Sequence, residues 1–577
     1  MSAPEVTSDM TALPVSASGR GGIIVGVGEG VPGALSGSGI EGAQAASRET
    51  VNWWPSFRSP DQTINIVKPT ADARGRDSAW NDGYALNGVN IHRDSIVGNQ
   101  FRLSAQPNYE ALELTAGWAD DFQTVVEDLF TLTAESHDCW LDVQRVNTFT
   151  GQIRLMVASH VLAGEVLCSA EWIREANRPC KTAVQILSPD RLSNPGRAPD
   201  TLTMRRGVEK DSWGKPVAYH IQAGYPTESY VGQNVWTWDR VPARTPWGRR
   251  QVLHIIEQLL PDQSRGVADM VSVLSQMRMT KNFQQITLQN AVINASYAAA
   301  IESELPGEVV AAMMGQQTFQ SDRDPYTGML GGYLDGLAKY LAGANNIRVE
   351  GAMIPHLYPG TKLTTKTLGT PGGVGTHFEA SLLRHVAAGL GLSYEEFAKD
   401  YSQVSYSSAR ASMATTEKFM LARKKAIADR AATEVYALWL EEAWNNNQLP
   451  IPKGKTKALF YQPLVKEALT RSRWIAGSAG QIDELKETQA AVLKVNSGLS
   501  TYAVELARLG RDYREEFVQA AREQRMIESL DLALALSAKR PLGAPMPQNT
   551  EDASVTAENK TKDTEDETAD DGGKPPP

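Results

Sequence analysis

The stretch from Phe378 to Trp444 constrains the chain more than any other. Phe378, Leu382, Leu383, Val386 and Leu390 recur at three- and four-residue steps, the spacing of an amphipathic helix. Gly389 and Gly391 weaken that helix near its end. Tyr401 to Arg410 is crowded with serine and tyrosine, and serine hydroxyls compete with the helical hydrogen-bond ladder, which predicts a polar loop or a helix entry. From about Ser408 the pattern is helical again, with no Gly or Pro until Pro450. About 35 residues at 1.5 Å each make a rod of roughly 50 Å, longer than one small core requires. Two helices of unequal length, joined by a polar and flexible loop, are the expectation that organises the rest.

A chain of 577 residues exceeds what one core organises, so several domains are expected. At 42% hydrophobic and 21% charged residues it has the composition of an ordinary soluble protein. The three cysteines, Cys139, Cys168 and Cys180, are odd in number and lack C-x-x-C spacing, which indicates neither a disulfide framework nor a zinc site. Synthesis in a reducing cytoplasm fits, and no basic segment followed by an apolar run opens the chain as a secretion signal would. Asn282 to Ile301 carries no charge but holds three Gln and three Asn, too polar for a membrane span. The net charge of −10 argues against a protein that coats duplex DNA, which relies on Lys and Arg to neutralise phosphates. Glu551 to Pro577 holds nine acids against three lysines, so the body of the chain is nearly neutral.

Residues 1–50 are rich in Gly, Ala and Ser and read as a flexible arm. The run GGIIVGVGEG lacks the G-K-[ST] of a phosphate-cradling loop. Asp77 to about Asp138 is mainly helical, with Trp118, Phe122, Val125, Val126, Leu129 and Phe130 on one apolar stripe. Ile153 to Trp172 reads as strand-like around a glycine break, and Ala183 to Leu187, Val217 to Ile221 and Arg249 to Ile256 read as further strands. Residues 75–260 therefore form a mixed α/β lobe. His254, alone on an apolar strand, is a packed residue in the simpler reading and a metal or catalytic one in the sharper. From Gly266 the pattern is helical for over thirty residues. Its uncharged part, with Gln284, Gln285, Gln289, Ala298 and Ala299, suits packing against like helices of other copies. Strands are expected at Arg348 to Ala352 and Lys362 to Thr367. Later helices span Leu485 to Lys494, Tyr502 to Leu509 and a last stretch to about Leu536, with Ser500 and Asp512 as N-caps of the second and third. After Lys539 the composition turns to Pro, Asp, Glu and Thr, which predicts disorder.

Catalytic constellations are missing from the sequence: no H-E-x-x-H, no G-x-S-x-G, no Walker lysine and no Cys/His cluster. Glu395/Glu396 and Glu441/Glu442 read as solvated helix faces. Ser402, Ser405, Ser407 and Ser408 have no histidine nearby in sequence. No enzyme, no cofactor and no metal site is expected.

GLGLSYEEFAKDYSQVSYSSARAS, starting at Gly389, resembles the lambda-type portal proteins of tailed bacteriophages. Its companions stand in the family's order: NQFRLSAQP, VQILSPDRLSNP, VLHIIEQLLPDQSRGVADM and the run from Ser472 that begins SRWIAGSAGQ. The resemblance covers roughly residues 75 to 530. It implies a predominantly helical α+β portal fold, assembled as a cyclic ring of twelve subunits around a central channel. By this likeness 51–260 is the wing, 261–302 the descending stem helix, 303–377 the clip and 378–397 the returning stem. Residues 398–410 are then the tunnel loop, 411–470 the long wing helix with its following segment, 471–540 the crown and 541–577 an acidic tail. Lys399, Asp400, Ser402, Gln403, Ser405, Ser407, Ser408 and Arg410 would face the channel, with Arg410 alternatively paired to a neighbouring subunit's acid. The implied partners are double-stranded viral DNA, a terminase motor, a major capsid or scaffold protein, and head-completion or tail proteins. The implied place is the virion, after assembly in the host cytoplasm. A non-conduit structural protein of a virus particle is the alternative.

Overall fold

The computed structural model describes Asn52 and residues 55–225, 227–228, 235–296, 347–349, 352–354, 374–402, 404–452, 454–478, 480 and 483–531. The readings of residues 1–50, Lys362 to Thr367, Ala298, Ala299, Gln403 and the acidic tail lie outside them. Met1–Arg58 and Ser59–Pro577 are separate units. In the first, Asn52 and Pro55 to Arg58 are described, and none is in a helix or strand.

The second unit begins with α1 (Pro60–Asn81), α2 (Gly83–Ile96), β1 (Phe101–Ala105), α3 (Ala116–Ala134) and α4 (Phe149–Ala163). Next in the chain are strands β2 (Glu165–Trp172), β3 (Thr182–Leu187), β4 (Met204–Arg205), β5 (Val208–Lys210), β6 (Pro216–Gln222), β7 (Trp238–Pro242) and β8 (Val252–Ile256). Then come α5 (Leu274–Ser296), the hairpin β9 (Ile347–Val349) and β10 (Ala352–Ile354), α6 (Val374–Gly389), α7 (Tyr394–Ala398) and α8 (Tyr406–Arg423). A π-helical segment, Lys424–Asp429, joins α8 to α9 (Arg430–Asn445). The last elements are α10 (Val465–Leu469), β11 (Ser472–Ala476), α11 (Glu484–Asn496), α12 (Tyr502–Arg508) and α13 (Tyr513–Ser529). Mixed, mainly helical structure is thus as the sequence predicts.

One helix departs from the reading. Ile153 to Ala163 belongs to α4, and the strand starts only at Glu165. Ile153, Val157 and Val161 are β-branched, but they stand four residues apart on a helix buried on most sides, where packing overrides propensity. Thr148 caps it by accepting from Gly151 N, and Gly164 at φ 74° ends it. Five departures are smaller. Glu441 and Glu442, read as a solvated helix face, are buried: Glu442 accepts from Lys181 N and Thr182 N at 2.7 Å, and Glu441 lies 3.1 Å from Arg249. Gly266 to Ala268 is not helical, and a 3-10 turn at Asp269–Ser272 precedes α5. Arg249 and Arg250 precede β8 rather than lie in it. Thr501, not Ser500, caps α12, because its hydroxyl reaches Val504 N; Asp512 caps α13 as predicted. The last helix ends at Ser529 rather than near Leu536, where the C-cap N–H of Leu530 turns back to Met526 O and Glu528 O.

α1 is wound inside out. Its N-terminus carries a capping box, Ser59 with Gln62, and Pro60 in the first turn. Its buried face holds Asp61, Asn65, Lys68 and Asp72, while Ile66, Val67 and Trp80 are exposed. The polar face is turned in because it closes a buried charge cluster centred on Glu165. That carboxylate accepts from Arg265 Nε at 3.0 and 3.1 Å, Arg265 Nη2 at 2.5 Å, His254 Nε2 at 3.0 Å and Gly266 N at 3.1 Å. Lys68 Nζ lies 3.3 Å from it and 3.0 Å from Asp72, and also donates to Ala163 O and Gly266 O. Arg265 spends its remaining donors on the carbonyls of Pro189, Leu192 and Arg206. Every charge is satisfied, the condition under which a buried ionic cluster holds. His254 is therefore a packed, hydrogen-bonded residue, as its simpler reading has it.

Around this node stand two antiparallel sheets, ordered β3-β2-β8 and β4-β5-β6-β7. On the other side lies the main apolar core, through which α9 runs. In it Phe101 stacks on Trp474 at 5.5 Å, and Phe130 meets Phe149, Tyr436 and Trp439 edge-on at 5.2 to 5.6 Å. The β1–β11 pair, Phe101 opposite Ala476 to Ala105 opposite Ser472, closes that core with segments far apart in sequence.

Burial pushes the Glu165 carboxyl up, but Arg265, Lys68 and the hydrogen bonds from His254 and Arg265 prevail and hold it well below its ordinary 4.5. A carboxyl so depressed stabilises the fold fully above its ordinary range, and that stabilisation is lost as pH falls below it. Glu165→Gln is expected to cost about 3 to 5 kcal/mol in urea unfolding followed by tryptophan fluorescence. The variant should also show a shallower loss of stability than the parent below about pH 4.5.

Candidate channel-facing site

α5 and α6 run antiparallel. Phe283 meets Phe378 at 5.8 Å and Gln284 Nε2 donates to Glu379 Oε1 at 2.6 Å, while at the other end a Cβ on Gly389 would stand 2.3 Å from Val273. Gln285 and Gln289 are exposed on α5. The uncharged surface read from the sequence is thus partly spent within the chain, through Gln284, and partly open.

The turn out of α6 is a Schellman motif. Leu392 N donates to Ala387 O at 2.9 Å and Gly391 N to Ala388 O at 3.2 Å, with Gly391 at φ 70°. The face of Gly391 lies against the Phe419 ring of α8, where a Cβ would come within 2.4 Å of a ring carbon. Ser393 then caps the five-residue α7, accepting from Glu396 N and donating to Glu396 Oε2 at 2.6 Å. Phe397 is fully buried, 5.7 Å from Tyr84 of α2, and Asn87 of α2 donates to the carbonyls of Glu396 and Phe397. The start of the polar loop is therefore pinned to α2 and α8.

Lys399 ends α7 in the left-handed region at φ 55°, with its side chain exposed. It shares with Asn81, Asp82, Tyr84, Asn87 and Lys281 a cleft of about 340 Å³. Its charged lining is Asp82, Lys281 and Lys399, and it holds no histidine or cysteine. Asp400 folds the loop on itself: its Oδ1 accepts from Ser402 N at 3.1 Å and Ser402 Oγ at 2.7 Å. Those bonds hold the Asp400 carboxyl below its usual range.

The loop is shorter than the sequence suggests. Ser405 is the N-cap of α8, so Ser407, Ser408 and Arg410 belong to the first turns of a helix. Ser405 Oγ accepts from Ser408 N and lies 2.8 Å from Ser408 Oγ and 3.2 Å from Ser407 Oγ. Serines that disfavour helix interiors favour helix starts, which is why the run begins a helix instead of prolonging a loop. Arg410, half exposed, lies 3.9 Å from Glu487 of α11 in the same chain. Helical structure continues from Tyr406 to Asn445, but through the π segment at Lys424–Asp429, which the sequence pattern did not reveal. Arg423 anchors the end of α8 to Asp269, with Nη2 2.8 Å from Oδ1, and to Glu257 at 3.2 Å.

Lys399, Asp400, Ser402, Ser405, Ser407, Ser408 and Arg410 are thus brought to one exposed or half-exposed stretch, while Gln284, Gln285 and Gln289 lie on α5. Asn87 and Lys281 support that stretch from elements far away in sequence and carry no local signal of it, while Phe419 does so from α8 itself. Gly391 alone was legible. Among the described residues, no group of three or more His, Cys, Asp and Glu is placed to hold a metal, and no helix is long and apolar enough to cross a membrane.

The family description "Phage portal protein, lambda family" matches residues 46–424. The chain is 37% identical over 473 residues to Portal protein B of Escherichia phage lambda, covering 82% of this chain and 86% of that one. It belongs to the lambda family of phage portal proteins. The portal protein of Escherichia phage N15 is likewise 37% identical over 473 residues, covering 82% of this chain and 87% of that one. The probable portal protein of Halomonas phage phiHAP-1 is 22% identical over 483 residues, covering 82% and 83%. Among solved structures, the neck of a native gene transfer agent particle, computed with C12 symmetry, aligns with 78% of this chain and 94% of its own. The identity there is 11% and the TM-score 0.35.

Because Gly391 is both left-handed and pressed on Phe419, Gly391→Ala should cost at least about 2 kcal/mol, backbone strain plus overpacking. Thermal unfolding should show the loss. Adding Phe419→Ala to the Gly391→Ala variant should cost less than Phe419→Ala costs the parent, because the ring that the new Cβ strikes is gone.

Proposed function

We propose that the chain forms the portal ring of a phage capsid, the channel through which viral DNA enters and leaves. The observation that carries the reading is membership of the lambda portal family together with a polar stretch set between two helices. In this reading α5 and α6 are the stem, 303–377 the clip, Lys399 to Ser405 and the first turns of α8 the tunnel wall, and 471–540 the crown. Gln285 and Gln289, with Ala298 and Ala299, face a neighbouring copy. Twelve subunits close the ring. Double-stranded DNA passes without sequence-specific contact, terminase docks during packaging, and head-completion or tail proteins replace it. Capsid or scaffold protein surrounds the ring at one vertex of the virion. The family names of the relatives favour this over a non-conduit shell component.

Hydroxyls engaged with one another, as in Ser405, Ser407 and Ser408, offer phosphates only weak and exchangeable bonds. A sliding surface needs that property. Native mass measurement and electron micrographs of the purified protein should show a closed ring with a central hole, and a strictly monomeric chain at micromolar concentration would refute the reading. Replacing Gln403 to Ser405 with Gly should leave rings and empty particles but lower packaged or retained DNA, read as particle density and infectivity. Ala298→Arg should weaken assembly by burying an unpaired charge.

A further inference from the structure

The C-terminal helices bury almost nothing of their own. Across α11 and α12 no residue is buried, and in α13 only Ile527 is. Leu485, Val492 and Leu493 lie on α11 at positions seven and eight residues apart, and Phe517, Val518 and Met526 on α13, all exposed. Isolated helices shorter than about 12–15 residues are marginal in water, and longer natural ones draw their stability from a packed apolar face. Here α11 has 13 residues and α12 has 7. Their internal apolar contact is thin, chiefly Tyr502 against Phe517 at 5.6 Å. Apart from the approach of α12 and Gly510 to β11, what ties them to the rest of the chain is polar: Arg514 to Asp120 at 2.6 Å, Arg102 to Glu515, Gln100 to Gly510 O and Arg410 to Glu487. Glu515 and Asp120 are about two-thirds exposed, and exposed ion pairs contribute little.

Charge narrows what covers the apolar faces. Residues 484–531 hold seven Lys and Arg against nine Asp and Glu, with the signs interspersed along each helix. A nucleic acid or an anionic surface calls for net positive charge, and a strongly charged partner calls for the opposite sign in blocks. Alternating charge around apolar stripes suits a second copy of the same segment, offset so that unlike charges meet.

We propose that residues 484–531 complete their fold only against the corresponding helices of an adjoining copy, so that order in this segment is produced by assembly. The proposal rests on the ring reading and adds to it a folding step: the body carries its own core before assembly, and the C-terminal helices do not. Assembly buries the stripes of α11 and α13 between copies and converts marginal helices into protected ones.

Hydrogen–deuterium exchange of the full-length protein, as dilute monomer and as assembled particle, tests this. In the monomer, amides of 484–529 should exchange within about tenfold of the rate of an unfolded chain, while those of α4 and α9 stay protected. In the assembly the same C-terminal amides should slow by at least a hundredfold. Leu493→Asp and Phe517→Asp should abolish that slowing and leave α4 and α9 unchanged. Equal protection in monomer and assembly overturns the proposal, as does an assembled ring whose C-terminal amides stay fast. Protection that requires an added shell protein, in rings that lack it otherwise, also overturns it. A chain that never assembles overturns both this step and the ring reading, whereas the other outcomes leave the ring reading standing.

Discussion

Glu165 is the point on which the body of this chain depends. Five elements reach it or its partners: α1 through Lys68 and Asp72, β2 through the carboxylate itself, β8 through His254, the end of α4 through Ala163 O, and the segment before α5 through Arg265 and Gly266. Arg265 extends the same set of bonds to the carbonyls of Pro189, Leu192 and Arg206. Each partner left alone would be an unpaired buried charge, so the five elements hold together as one arrangement. It also explains two glycines. A Cβ on Gly164 would stand 2.2 Å from the Val267 carbonyl carbon, and one on Gly266 would stand 1.9 Å from Gly164 O. The two backbones must touch for Arg265 to lie over Glu165.

From that body the helical path toward the polar stretch loses burial step by step. α9 is buried on most of its residues, whereas among the residues of α8 whose burial is described only Thr416, Met420 and Arg423 are buried. The π segment lies between the two regimes. Lys424 holds it from both sides, at 2.6 Å from Asp429 and 2.9 Å from Trp474 O, and Arg423 fixes the turn before it to Asp269. The rod is thus clamped in the core at one end and nearly bare at the other.

Much of this was legible in the sequence, and what was not has physical causes. The unequal helices around Gly391, the strands at Thr182–Leu187 and Pro216–Gln222, and the helices of the C-terminal segment arise from periodicity and from Gly, Ser and Asp at their ends. Periodicity failed where burial was extensive. α4 is buried on most sides, so its pattern could not tell helix from strand. Composition left Ser405 to Ser408 open between a loop and a helix entry, because serine signals both alike. The cluster around Glu165 had no signature at all: Lys68, Glu165, His254 and Arg265 are scattered over some two hundred residues, and an inside-out helix reads as a weak one.

The pairing of β1 with β11 has a further consequence for the order of events at the ribosome. Phe101 and Leu103 find their partners Ala476 and Trp474 only after about 370 further residues are made, roughly 20 to 75 seconds of synthesis at 5–20 residues per second. Throughout that interval a short apolar strand stands without its neighbour, and the aromatic cluster of Phe101, Phe130 and Phe149 lacks Trp474. The nascent protein is thus an open-edged intermediate for most of its translation, exposed to pairing with other chains. A premature stop before Ser472 leaves that intermediate as the final product, however complete the residues upstream.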